Sequence, residues 1–403
     1  MTIIHGRRKL SGQARSDGSN ACRQRSRHAP SPLRHVYLYA VVLFAALFTA
    51  TDAKVVTIHN DQPRVDIEGN YVDAHDGKIV VVNGTYFLYG EAYGNQTLAT
   101  SYPWKTVPRL NVYTSPDLVQ WTLRGDPLPM VEGTLWIPNV LYNASTHTFL
   151  MWYGSGGWCT ATSSDGIHFT PVRSKFFSRF GPKARTDGTG IFIDDDGVGY
   201  VAFAASPAGL PDHVVSIERL ADDYLSTTRI NVTGLFPDSY VESPSLWKRS
   251  GVYYLTYGSC CCGCAGGGGQ VVFTSTSGVA GPWTRQAHAD INCNSASAPV
   301  CGAYGKRMTG SLVFPAQWWG PSFIPLKDGT TQVLYLGRRW LSGPNRPANC
   351  TSICNEGAKC TNGGGKFFMN SDLSVWYPLV FDASGAIAPM APLPSYTLEL
   401  PDY

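Results

Sequence analysis

Charge is scarce in this chain: only 15% of its 403 residues are Asp, Glu, Lys or Arg. The positive charge that exists is crowded at one end. Residues 1–35 hold eight Lys/Arg and one Asp, a net +7, which leaves 24 bases against 28 acids, or −4, in the rest. A mildly acidic body excludes the basic footprint of a nucleic-acid partner. Helical periodicity is also missing from residue 66 onward, as is any low-complexity linker, so a helical bundle and a string of tethered modules are both excluded. Gly266–Gly269 lacks the Lys-Ser/Thr of a phosphate loop and leads into no helix, which excludes a nucleotide site.

No apolar run reaches the roughly 20 residues of a spanning helix. Residues 36–50 come nearest, with 15 uncharged residues directly after the basic segment. Two readings stand: the apolar core of a secretory signal with a long basic front, or a short single-pass anchor that keeps residues 1–35 cytoplasmic. Both send the body into the secretory pathway. The division expected is a disordered basic segment over 1–35, a signal or anchor over 36–53, a connector over 51–65, and one folded domain over 66–403. Ten of the 11 Cys and all five Asn-X-Ser/Thr sequons (Asn83, Asn95, Asn143, Asn231, Asn349) follow the apolar run. That suits disulfides and glycans in an oxidising compartment. The cluster Cys260-Cys-Cys-Gly-Cys264 raises zinc as an alternative. The compartment favours disulfides to the later cysteines, and no cofactor or metal is expected.

Gly and Pro are plentiful, 42 and 27, with 12% aromatics, a composition for a turn-rich β protein with a large core. Strand, turn, strand recurs: 78–82 with 86–89, 140–142 with 148–153, 191–193 with 199–204, 245–248 with 252–257, and 322–325 with 332–336. Each pair turns on Asn/Asp/Ser-Gly or a similar polar group. The pairs begin some 50–80 residues apart, room for four strands. Segments such as 110–114, 159–162 and 271–274 fit the outer strands. A β-sandwich would explain the strands but not the spacing. Radial repetition of such units predicts an all-β, five-bladed β-propeller.

Acids stand near the first strand of three hairpins: Asp76, with Asp73 three residues earlier; Asp187; and Glu242. In a propeller the first strand of each blade lines the central channel, so these carboxylates converge on one pocket. Glu242 lies beside Pro244 and among aromatics, where drying would let it hold a proton. One carboxylate would take a proton from water, one would give a proton to a leaving oxygen, and a third would tune the donor.

At these residues the chain resembles glycoside hydrolase family 43. The matching segments are Arg185-Thr-Asp187 with Phe192-Ile-Asp194-Asp-Asp-Gly197-Val-Gly-Tyr200, and Glu242-Ser-Pro244 with Tyr253-Tyr-Leu255. The resemblance implies a five-bladed propeller that hydrolyses glycosidic bonds with inversion, with Asp76 as base, Asp187 as pKa modulator and Glu242 as acid. Ala74-His75-Asp76-Gly77-Lys78-Ile79 and Tyr86-Phe-Leu-Tyr-Gly90-Glu91 are similar to the exo-β-1,3-galactanase branch, as are Gln317 and Val375-Trp-Tyr-Pro-Leu379. In that branch a Gln takes the base position, so Gln317 with Asp73 is the fallback pair. There are departures. Asp76 replaces a Gly, Trp136-Ile-Pro138 replaces Glu-Arg-Pro, and Arg338-Arg339-Trp340 replaces Asp-Arg-Trp. His75, Asp73, Glu91, Trp136, Gln317 and Arg339 are the residues expected at substrate. Trp158, Trp247, Trp318 and Trp319 are further sugar-stacking candidates. The partner implied is a galactan-, arabinan- or xylan-type polysaccharide. A non-catalytic sugar-binding propeller and a retaining fructosyl hydrolase are the alternatives. The second lacks its Asn-Asp-Pro-type nucleophile segment.

Overall fold

A computed structural model describes residues 54–94, 108–259, 267–292, 313–344, 350–353, 357–360 and 369–403. The basic segment and the apolar run lie outside the described residues, as do Asn95, Asn349 and the Cys260–Cys264 cluster. Among the described residues no helix is long and apolar enough to cross a membrane.

The body is all β. After β1 (Lys54–His59), blade one holds β2 (His75–Val82), β3 (Thr85–Ala92), β4 (Arg109–Ser115) and β5 (Thr122–Gly125). Blade two holds β6 (Trp136–Asn143), β7 (Thr148–Gly154), β8 (Trp158–Ser163) and β9 (Thr170–Phe176). Blade three holds β10 (Arg185–Ile193), β11 (Gly199–Ser206), β12 (Val214–Leu220) and β13 (Thr227–Leu235). Blade four holds β14 (Val241–Arg249), β15 (Val252–Ser259), β16 (Gln270–Ser275) and β17 (Thr284–Asp290). Among the described residues blade five has three strands, β18 (Gln317–Pro325), β19 (Thr331–Arg339) and, after a two-stranded excursion β20 (Cys350–Ile353) and β21 (Gly357–Cys360), β22 (Leu373–Pro378). The chain ends in β23 (Ser395–Leu400). Within every blade the strands are antiparallel neighbours in chain order. The inner strands β2, β6, β10, β14 and β18 contact one another in a closed ring. All five hairpins expected from the sequence are present.

The reason the hairpins read as continuous apolar runs is that each blade is buried on both faces. Successive strand residues point to opposite sides, so β3 sends Tyr86 and Leu88 to the core shared with blade five, and Phe87 and Tyr89 to the core shared with blade two. β11 divides likewise: Ala202 and Ala204 face blade four, while Val201, Phe203 and Ala205 face blade two. Five such cores fill the five junctions. Outer strands have only solvent beyond them, and β9 and β13 are correspondingly polar and exposed.

One difference from the sequence reading concerns 51–65. Lys54–His59 is no connector; it pairs along its whole length with β23 and buries Val56 and Ile58 at the junction of blades one and five. Asn60 exchanges hydrogen bonds with the backbone of Trp376 in β22. This ribbon of the first and last described strands holds the ring closed. A second difference is Cys159. It is a free, buried thiol in the blade-two core, so an apolar site and not a disulfide explains it.

Each inner strand also carries a bulge where it enters the channel. The breaks fall at His75/Lys78, Trp136/Asn139, Asp187/Thr189, Glu242/Ser245 and Trp318/Gly320. Within them Asp76, Ile137, Gly188, Ser243 and Gly320 adopt positive φ, at 60°, 46°, 61°, 53° and 133°. A bulge re-aims the flanking side chains at a barrel rim. The same bend, repeated five times, turns one residue per blade towards the axis.

Candidate active site

The bulges surround a cavity of 690 Å³. Asp76 and Glu91 from blade one, Trp136 and Ile137 from blade two, Thr186, Gly188 and Thr189 from blade three, and Glu242 and Ser243 from blade four line it. Trp319 and Trp340 complete it from blade five. Asp76 and Glu91 of the first hairpin and the distant Glu242 thus bring carboxyl groups to one space, each at most 5% exposed.

Glu242 precedes the left-handed Ser243. Its Oε2 accepts a hydrogen bond from the Gln317 amide at 2.9 Å, and the Gln317 Oε1 accepts one from the Trp340 indole at 2.7 Å. Asp76 sits one bulge position later than Glu242 does. It occupies the left-handed site itself, which Asp tolerates better than most residues. Its Oδ2 meets Arg338 at 3.1 Å, and Oδ1 makes no hydrogen bond within the described protein. Burial pushes the Asp76 carboxyl up; the Arg338 charge and His75 oppose that. The side chain of Arg338 is itself fully buried. It also engages Asp372 at 2.8 Å and stacks on Trp340 at 3.8 Å and Tyr93 at 4.5 Å. Burial works against its charge, yet Tyr93, Asp76 and Asp372 together hold it protonated above the ordinary value. A continuous chain of contacts therefore joins Asp76 to Glu242 through Arg338, Trp340 and Gln317.

Glu91 accepts from the Ile137 backbone N–H at 2.7 Å and from the Tyr93 hydroxyl at 2.5 Å. Burial, with Asp76 adding to it, pushes its pKa up to about 8. Burial thus favours the neutral form of Glu91, which can present a hydroxyl to a ligand.

The remaining sequence candidates separate. Asp187 lies on β10 between Thr186 and Gly188, which both line the cavity; its side chain lies outside the described residues. Trp136 lines the cavity, as do Trp158 and Trp319, whereas Trp247 and Trp318 are packed in the core between blades four and five. His75 is not at the cavity surface. Its ring is enclosed, with Nε2 at 3.4 Å from Asp73 and 3.3 Å from the Asn370 carbonyl. Asp73 uses one oxygen on the Tyr93 N–H and the other on the Gly94 N–H, so it holds the end of β3 in place of meeting substrate. That removes Asp73 from the fallback pair. Gln317 stands behind Glu242. Arg339 lies over Phe314, at the core between blades four and five, at 4.8 Å, and its neighbour Arg338 is the one that reaches Asp76. Strand alternation explains the swap, since adjacent residues point to opposite faces.

Sequence reasoning passed over Tyr93, Trp340 and the role of Arg338. Arg338 did carry a signal: a charge directly after the apolar run 333–337, within a second strand, needs a buried partner.

The model of the glycosyl hydrolases family 43 matches residues 70–306, more than half of the chain. No curated protein matches it. Among solved structures, the exo-β-1,3-galactanase of Clostridium thermocellum superposes with a TM-score of 0.61 at 22% identity, over 85% of this chain and 67% of that one. The exo-β-1,3-galactanase of Phanerochaete chrysosporium with galactose gives 0.59 at 22%, over 85% and 68%. An endo-1,4-β-xylanase of Bacteroides thetaiotaomicron gives 0.51 at 20%, over 86% and 99%. These likenesses bear on the fold: all share the propeller.

Proposed function

The chain belongs to glycosyl hydrolase family 43 and is a glycosidase acting on O-glycosyl bonds; from that premise we propose that it cleaves a β-linked galactan-type polysaccharide with inversion. Glu242 is the proton donor, Asp76 the base and Asp187 the residue that tunes the donor. One observation carries the reading: Asp76 of blade one and Glu242 of blade four open onto a single cavity. Their strands are not neighbours in the ring, and an inverting pair needs the wider spacing that admits a water.

In the reaction, the Glu242 carboxylic proton passes to the glycosidic oxygen as the bond to the anomeric carbon breaks. A water attacks that carbon from the other face. Its proton passes to the Asp76 carboxylate, which is ion-paired with Arg338. Gln317 keeps the Glu242 carboxyl in place through its amide. Glu91, favoured in its neutral form, meets a sugar hydroxyl, and Trp136 offers an apolar face. The choice of galactan follows the two galactanases above, which share this propeller. The proposal extends to a lumenal or extracellular domain, delivered by residues 36–53 and carrying glycans at Asn83 and Asn231. Both Asn lie exposed.

The test is a panel of β-1,3-galacto-, xylo- and arabino-oligosaccharides, with the first-formed anomer followed by proton NMR. The expected result is release of α-galactose from the β-linked chain. Glu242→Gln should lower turnover by about 10²–10⁴-fold, the range for a general acid, and Asp76→Asn should do the same. A β product, or an Asp76→Asn enzyme as fast as wild type, would overturn the assignment.

A further inference from the structure

Aromatic residues line the cavity at two depths. Trp319 and Trp340 are buried beside the carboxylates. Tyr240, at 41% exposure, is the most open aromatic among the described residues that line the cavity. It lies at the mouth, two residues before Glu242.

Its conformation is unusual. Tyr240 has φ 56° and His213, across the rim, has φ 52°. Neither is Gly, Asn or Asp, the residues that visit this region most readily. Strain of this kind persists only where the surroundings impose it, and it gathers at functional sites. Here the surroundings are visible. The Tyr240 N–H donates to the Asp212 carbonyl at 2.9 Å, the His213 N–H to Ser206 Oγ at 3.1 Å, and the Val241 N–H to the His213 carbonyl at 3.4 Å. The buried His213 ring meets Tyr240 nearly at a right angle, 82°, with centroids 6.4 Å apart. Two strained residues thus brace one aromatic ring at the edge of the pocket. Asp212 and His213 line the cavity on the same rim.

We propose that Tyr240, braced by His213 and the Asp212 carbonyl, is the platform for the leaving sugar, the first ring beyond the scissile bond. The inference rests on Glu242 being the proton donor. A donor stands beside the leaving oxygen, so the departing ring lies on the donor's side of the bond. Tyr240 lies two residues before that donor and lines the same cavity, whereas Asp76 comes from blade one, whose inner strand is not a neighbour of β14. The C–H face of a pyranose packs against an aromatic ring, and the Asp212 carboxylate on the same rim accepts from its hydroxyls. Tyr240 is then a specificity-determining residue that rewards a sugar over a simpler leaving group.

The experiment compares β-1,3-galactotriose with β-galactosyl fluoride, which has no leaving sugar. In Tyr240→Ala, kcat/KM for the trisaccharide should fall at least tenfold further than kcat/KM for the fluoride, and Tyr240→Phe should restore most of the loss. Calorimetric titration of galactotriose into Glu242→Gln and into the Glu242→Gln/Tyr240→Ala double variant gives a readout without turnover; binding should weaken at least tenfold. Equal losses on both substrates, or unchanged binding, overturn the role of Tyr240 alone. A wild-type protein that neither cleaves the fluoride nor binds the trisaccharide overturns the parent reading and this one together.

Discussion

Arg338 is the residue whose removal should be felt most. Its side chain is fully buried, with Asp76 at 3.1 Å, Asp372 at 2.8 Å and two aromatic rings stacked on it. At 3.1 Å and an effective dielectric of about 20, one unit pair attracts by about 5 kcal/mol. Desolvation of both ions offsets much of that. Breaking the pair is a different quantity, because it strands the carboxylates. Arg338→Met keeps much of the volume but removes the charge and the cation–π contacts, and loss of one partner of a buried pair costs roughly 3–5 kcal/mol. The cost should depend on pH in a definite direction. Burial already raises Asp76 above its ordinary 3.8, and Arg338 is the largest influence opposing the rise. Without Arg338 the folded pKa climbs further above the unfolded one. The variant's stability therefore falls as pH increases from about 4 through the folded pKa, by up to about 1.4 kcal/mol per unit. Urea unfolding followed by Trp fluorescence at pH 5 and pH 7.5 should show the larger loss at 7.5. Adding Asp76→Asn to Arg338→Met should recover at least about 1 kcal/mol at pH 7.5, a coupling within the range for contacting residues. Additive effects, or an Arg338→Met protein within about 1 kcal/mol of wild type at pH 7.5, would refute the buried ion network.

Two further outcomes test other parts of the site. Glu91, with a folded pKa of about 8 against 4.5 unfolded, favours the neutral form. Wild-type stability relative to Glu91→Gln should thus fall between pH 4.5 and 8, by up to about 1.4 kcal/mol per unit, and run parallel below that window; parallel curves throughout would sink the assignment. Gly190 lies where β10 passes β14, and a Cβ there would stand 2.4 Å from the Pro244 carbonyl oxygen and 2.9 Å from the Ser245 Cα. Gly190→Ala should destabilise by about 1–3 kcal/mol as an overpacked contact and should displace the Glu242 strand, lowering activity as well. A variant that melts and turns over like wild type would show that the strands have room to part.

The architecture was legible because it is written in local pattern. Polar turns between two apolar runs mark a hairpin wherever they occur, and burial on both blade faces makes those runs continuous. Five such pairs at blade-sized spacing name a propeller without any long-range information. The strand Lys54–His59 escaped notice because its partner is Ser395–Leu400, more than 330 residues away, and no local feature announces such a pairing. Composition does not distinguish a core thiol such as Cys159 from a bridging one.

The site divides along the same line. Asp76, Asp187 and Glu242 could be picked out because a carboxylate beside an apolar first strand is costly unless it has a purpose, whereas Glu91, on the second strand of blade one, was marked only by the family resemblance. What the chain could not tell was which way each neighbour turns. Arg338 and Arg339 are chemically alike and adjacent, yet one closes a buried ion network and the other lies over Phe314. Asp73 and Asp76 are three residues apart; the first fastens backbone and the second faces the cavity. Those choices are made by the bulge at each channel entrance and by strand alternation, both fixed by partners on other strands. Sequence determines the blades through short-range periodicity. Only closure of the ring decides which side chains meet at its centre.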